Sequence, residues 1–135
     1  MQLFRVILPV DSIDQAVSFY AELLGFPGER VSPGRHYFNC GGTILACYDP
    51  VADGDGKGDG WHLHFNQYCY FGVEDLEGVL DRARILDCRV LGQGISEMPW
   101  GERLFYALDP FGNPICFVDS KTLFTGSGTP STSVR

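Results

Sequence analysis

Apolar residues recur along this chain in two rhythms, and the alternation between them outlines its elements. Leu3-Phe4-Arg5-Val6-Ile7-Leu8-Pro9-Val10 is a short apolar run with β-branched members and a proline near its end, which predicts a first strand. Ile13, Ala16, Val17, Tyr20, Leu23 and Leu24 then recur at helical spacing. Ser12, with Gln15 three residues on, supplies a capping pattern, and Gly25 supplies the stop. Glu29-Arg30-Val31 predicts a further short strand. Arg35 to Cys40, a Gly41-Gly42 turn and Thr43 to Tyr48 predict a hairpin.

The same order then returns. Laid under Arg5 to Asp14 with a shift of 63 positions, Tyr68 to Glu77 repeats the pattern: Val10 falls on Val73, Asp11 on Glu74, Ile13 on Leu76 and Asp14 on Glu77. Leu76, Val79, Leu80, Ala83 and Leu86 repeat the helical stripe, and Arg89-Val90-Leu91 the short strand. The last hairpin runs from Pro99 to Asp119. Asp109-Pro110 through Gly112-Asn113 is its turn, because proline sets φ near −65° and glycine supplies positive φ. Each half thus reads as strand, helix and three strands. A single copy would leave one face of its sheet uncovered, so the copies pack together or against another chain.

Two stretches fall outside the repeat. Asp53-Gly54-Asp55-Gly56-Lys57-Gly58-Asp59-Gly60 is glycine-rich and predicts a mobile linker; its likeness to a calcium loop fails at Lys57 and His64, where ligands are needed. The tail from Thr125 to Arg135 predicts disorder, with Leu123-Phe124 as the last anchor.

Composition narrows the function. At 135 residues, with 44% hydrophobic and 20% charged residues, the chain suits one globular domain without a membrane span. A net charge of −7 opposes nucleic acid and anionic membranes. Five cysteines without a C-x-x-C pair predict reduced thiols, and Met1 to Arg5 lacks a secretory leader, so the expected location is cytoplasmic.

The Trp100-Gly101 loop followed by Asp109-Pro110-x-Gly112-Asn113 resembles the closing strands of the vicinal oxygen chelate superfamily, the glyoxalase, bleomycin-resistance and ring-cleaving dioxygenase group. The resemblance covers roughly residues 2–120. It implies an α+β fold, with two βαβββ modules in tandem forming a curved mixed sheet around a cavity. The division it suggests is one domain over 1–122 (module one 1–50, linker 51–66, module two 67–122) and a tail over 123–135.

In metal-using relatives, one residue on the first strand and one on the last strand of each half hold the cation. The repeat carries those places to Arg5, Ala46, Tyr68 and Cys116. Arginine offers only donors, alanine nothing, neutral tyrosine little, and one thiol cannot hold zinc or iron alone. The expectation is a member without metal or cofactor. His62 and His64 alternate on an extended segment and are read as exposed residues at the linker's end.

Strand alternation extends the lining to Ile7, Tyr48, Tyr70 and Val118, with Leu3 and Ile44, while Val6, Leu8, Phe71 and Phe117 face the helices. Arg103 adds a second positive charge and Trp100 closes the mouth. Such a pocket suits a planar or acidic aromatic small molecule. The competing reading pairs Arg5 with an acidic residue and leaves the tyrosines as core. Two functions follow: sequestration of a small-molecule ligand by a metal-free binding protein, or a metal-dependent lyase, isomerase or dioxygenase of the same superfamily. The resemblance also implies a homodimer.

Overall fold

The computed structural model describes residues 1–56 and 62–126. The first half contains β1 (Arg5–Pro9), α1 (Ile13–Leu24), β2 (Glu29–Ser32), β3 (Arg35–Cys40) and β4 (Thr43–Tyr48). The second contains β5 (Cys69–Val73), α2 (Leu76–Ile85), β6 (Arg89–Val90), β7 (Ser96–Glu97), β8 (Arg103–Leu108) and β9 (Pro114–Asp119), then a 3-10 turn at Ser120–Thr122. One sheet has the order β1-β4-β3-β2, the other β5-β9-β8-β6 with β7 also on β8. The first and last strands of each half run parallel; the rest are antiparallel. This is the expected repeat with one addition, the two-residue β7.

Local chemistry sets the helix ends. Ser12 Oγ accepts from the Gln15 N–H at 3.2 Å, and Gly25, at φ +89°, closes α1 with its N–H on the Ala21 carbonyl. Asp75 caps α2 in the same way through the Gly78 N–H. α1 buries Ile13, Ala16, Phe19, Tyr20 and Leu23, and α2 buries Leu76, Val79 and Ala83. These faces meet Leu8, Phe38, Leu45 and Cys47 of the first sheet and Phe105, Ala107, Ile115 and Phe117 of the second in one core. At about 1.5–3 kcal/mol for each fully buried Leu or Phe, this shared core joins the halves.

Register confirms the repeat independently. Ile7 pairs with Ala46 and Tyr70 with Cys116, and Ile7 and Tyr70 stand at equivalent places. Tyr37 opposite Ala46 and Tyr106 opposite Cys116 complete the match.

The hairpin turns differ. Gly41-Gly42, at φ +67° and +107°, is all that joins β3 to β4. Residues 109–113 join β8 to β9, and they are wedged into the other half. Asp109 accepts from Tyr20 Oη at 2.6 Å, from the N–H groups of Phe111 and Asn113, and from Asn113 Nδ2. Asn113, fully buried, also donates to the Pro9 carbonyl at 2.7 Å and accepts from the Leu63 N–H at 2.8 Å. By the repeat, Pro9 and Tyr20 correspond to Gly72 and Ala83. The short turn does not fill the matching space, where a cleft of about 620 Å³ lies among Gly41, Gly72, Val79 and Arg82.

The start of the linker is not mobile as expected. The Asp53 side chain accepts from Ser32 Oγ, the Gly34 N–H and Arg35 Nη1, which fastens it to the β2–β3 turn. Residues 57–61 and 127–135 of the expected linker and tail lie outside the described residues.

Candidate functional site

Each sheet has an outer face turned away from the shared core. On the first, the register sets Arg5 beside Ile44, Ile7 beside Ala46 and Pro9 beside Tyr48, with Tyr37 next to Ala46. The Arg5 guanidinium lies over the rings of Phe4 and Tyr37, 5.0 and 5.2 Å from their centroids. Among the described residues no acidic side chain pairs with it, so the competing reading of an internal ion pair does not hold. Ile7 is 42% exposed and Ala46 buried. Tyr48 is engaged differently: its hydroxyl donates to Asp55 and its ring carries the Arg35 guanidinium at 4.2 Å.

The outer face of the second sheet is aromatic. Tyr68 packs its ring 4.9 Å from Tyr106 and 6.1 Å from Tyr70. Cys116 is buried in register between Tyr70 and Tyr106, and Val118 between Gly72 and Leu104; Met98 packs on the same cluster. Burial pushes the Cys116 thiol up to about 12. Burial, then the neighbouring Tyr70 and Cys116, likewise pushes the Tyr106 phenol up to about 12, and burial raises Tyr68. At neutral pH these groups are hydrogen-bond donors and stacking surfaces, not bases or nucleophiles. Trp100 is half-exposed, donates from Nε1 to Glu102 at 2.8 Å, and borders a shallow groove with Tyr70, Val118 and Phe124.

Arg103 is not on this face. Leu104 and Tyr106 point outward, so alternation turns Arg103 the other way. Its Nη2 donates to Glu77 at 2.6 Å and its Nη1 to Asp119 at 2.7 Å. Those contacts hold the Glu77 carboxyl below its usual range, and Asp119 too, where the Lys121 N–H bond is the larger cause.

Within one chain, then, the structure groups Arg5, Ile7, Ala46 and Tyr48 on one sheet and Tyr68, Tyr70, Cys116 and Val118 on the other. Of the expected lining, Leu3, Ile44, Tyr68 and Tyr70 border the 620 Å³ cleft, which is lined by residues from both faces of β5. Tyr37 and Tyr106 were missed. Pairing across each hairpin could have found them, because each stands directly opposite a carried-over position.

The donor set does not fit a metal. Arg5, Ala46, Tyr68 and Cys116 offer one buried thiol and one phenol, and among the described residues no group of three His, Cys, Asp or Glu is placed to hold an ion. His62 turns Nδ1 to the Leu63 carbonyl, His64 stacks on Phe65 at 4.5 Å, and His36 is buried against the Pro27 carbonyl.

Comparison with known proteins agrees with this architecture. The chain belongs to the Glyoxalase/Bleomycin resistance protein/Dioxygenase superfamily, whose sequence profile matches residues 2–117. Among solved structures, a glyoxalase/bleomycin resistance protein from Albidiferax ferrireducens T118 is 20% identical, with TM-score 0.70 over 86% of this chain and 97% of that one. A lactoylglutathione lyase from Agrobacterium tumefaciens is 22% identical, with TM-score 0.64 over 89% and 94%. A bleomycin resistance determinant encoded on the transposon Tn5 is 16% identical, with TM-score 0.64 over 90% and 99%. At these identities the likeness speaks for the fold. No protein of curated function matches in sequence.

Proposed function

We propose that the chain is a metal-free small-molecule binding protein of the glyoxalase/bleomycin-resistance type, which sequesters a planar or aromatic ligand bearing an acidic or carbonyl group. One observation carries this reading: where metal-using relatives place ligands, this chain has an unpaired guanidinium on one face and a cluster of neutral tyrosines around a buried thiol on the other. Arg5, held flat by Phe4 and Tyr37, offers a fork of donors to an acidic group. Tyr68, Tyr70 and Tyr106 offer ring faces and hydroxyls.

The site is completed by a second copy, the first sheet of one chain facing the second sheet of its partner. Leu3 and Ile7 on one face, and Tyr70 on the other, are 72%, 42% and 58% exposed, and β1 and β5 each have one unpaired edge, which supports a homodimer. The five cysteines are all free, in keeping with a cytoplasmic protein.

Titration with anilinonaphthalene sulfonate, a planar anionic aromatic, tests the reading. Arg5→Ala is expected to weaken binding about tenfold or more, with Arg5→Lys intermediate, because a charge-assisted hydrogen bond contributes about 1.5–3 kcal/mol. Exhaustive chelation is expected to leave affinity unchanged. Stoichiometric zinc, manganese, nickel or iron, lost together with binding, would overturn the proposal in favour of a metal-dependent enzyme.

A further inference from the structure

The cleft left open by the Gly41-Gly42 turn meets the outer sheet faces at Leu3, Ile44, Tyr68 and Tyr70, but its deeper wall belongs to neither. Leu24, Phe26, Leu45, Phe71, Val79 and Phe117 give it an apolar wall. Its volume, about 620 Å³, lies within the range of small-molecule pockets. The chain carries 17 acidic residues against 10 basic ones, yet among the described residues no Asp or Glu lines this space. One formally charged side chain does, and it is Arg82.

Arg82 is one of the arginines that no carboxylate neutralises among the described residues, as are Arg5, Arg84 and Arg89. Arg30, Arg35 and Arg103 each pair with a carboxylate, whereas among the described residues Arg82 pairs with none. Its Nε and Nη2 donate to the Leu23 carbonyl at 3.3 and 2.9 Å, which fixes the guanidinium at the end of α1 and leaves Nη1 without an acceptor among the described residues. A half-buried cation on an apolar wall, held in place by two of its own donors, is a ready counter-ion for an anion. A neutral hydrocarbon would fill the cleft and leave that charge unanswered.

We propose that this cleft is a second binding site, which takes an amphiphilic monocarboxylate. The hydrocarbon body lies against Phe26, Phe71 and Phe117, and the carboxylate accepts from Arg82 Nη1. Occupancy restores on this side of the repeat the filling that residues 109–113 supply on the other.

Two thiols make the test local. Cys40 and Cys69 line the cleft, while Cys116 lies on the outer face of the second sheet. Decanoate, added to the full chain during slow iodoacetamide labelling at about pH 9, is expected to slow alkylation of Cys40 and Cys69 about tenfold and to leave Cys116 unchanged; decylamine is expected to protect neither. Arg82→Gln is expected to weaken decanoate about tenfold, with Arg82→Lys retaining part of the affinity. If loss of the bond to Leu23 unfolds the Gln variant, the contrast between decanoate and decylamine on the unaltered chain decides. Equal protection by both amphiphiles, or protection of neither thiol, would overturn the proposal. So would thiols already protected without ligand and exposed on dilution, since the cleft would then be covered by a second copy. None of these outcomes bears on Arg5, so the two sites stand or fall separately.

Discussion

The turn at residues 109–113 and the turn at Gly41-Gly42 stand at matching places in a duplicated unit, and they do opposite things to the space in front of them. The longer one carries a buried carboxylate and a buried amide into the neighbouring half, where α1 and the end of β1 receive them. The shorter one has no side chains to send, and the facing space stays open. Duplication therefore repeats strands and helices faithfully, while the length and polarity of one connection decide whether a given interspace becomes core or cleft.

The sharpest way to break that contrast is Asp109→Ala. It removes the acceptor of the Tyr20 hydroxyl, two backbone N–H groups and the Asn113 amide at once, and a loss of about 3 kcal/mol or more in urea unfolding is expected. Tyr20→Phe deletes one of those donors and should cost less, about 1 kcal/mol, by the same measurement.

A pH series sharpens the comparison further. Burial raises the Asp109 carboxyl above its ordinary 3.8, against the pull of its hydrogen bonds from Tyr20 and Asn113. A folded-state value above the unfolded one means that the folded chain keeps the proton longer. The linked stability is fully present below about pH 4 and is lost as pH rises through the folded value. Relative to Asp109→Asn, the unaltered protein should thus lose stability from pH 4 upward; a parallel pair of curves would contradict this.

The smallest expected effect is a control. Gly41 and Gly112 both have positive φ and open space where a Cβ would stand, so Gly41→Ala and Gly112→Ala should each cost about 1 kcal/mol. Equal values would locate the difference between the turns in the Asp109–Asn113 network and not in backbone strain.

Much of the scaffold was legible because it is written in local signals. Ser12 and Gly25 bound α1 where their chemistry requires, and the 63-position repeat predicted the second strand-helix-strands unit that the structure forms. The sidedness of Arg103 was readable but misplaced: once Tyr106 faces outward, alternation sends Arg103 to Glu77 and Asp119. Other features depend on partners distant in sequence. Nothing near Asp53 announces that Ser32, Gly34 and Arg35 wait for it, and nothing near Gly41 shows that the space beyond it stays open.

The Asn113 amide bears on how the chain reaches its final state during synthesis. Its bond to the Pro9 carbonyl joins positions 104 residues apart, and the Tyr20 hydroxyl waits for a carboxylate 89 residues downstream. Much of the first half can be translated and even collapsed while these groups still face water. Contacts of such long sequence separation form late, so the chain must leave the ribosome at least as far as Asn113 before the Pro9 strand and the Tyr20 helix are locked in place.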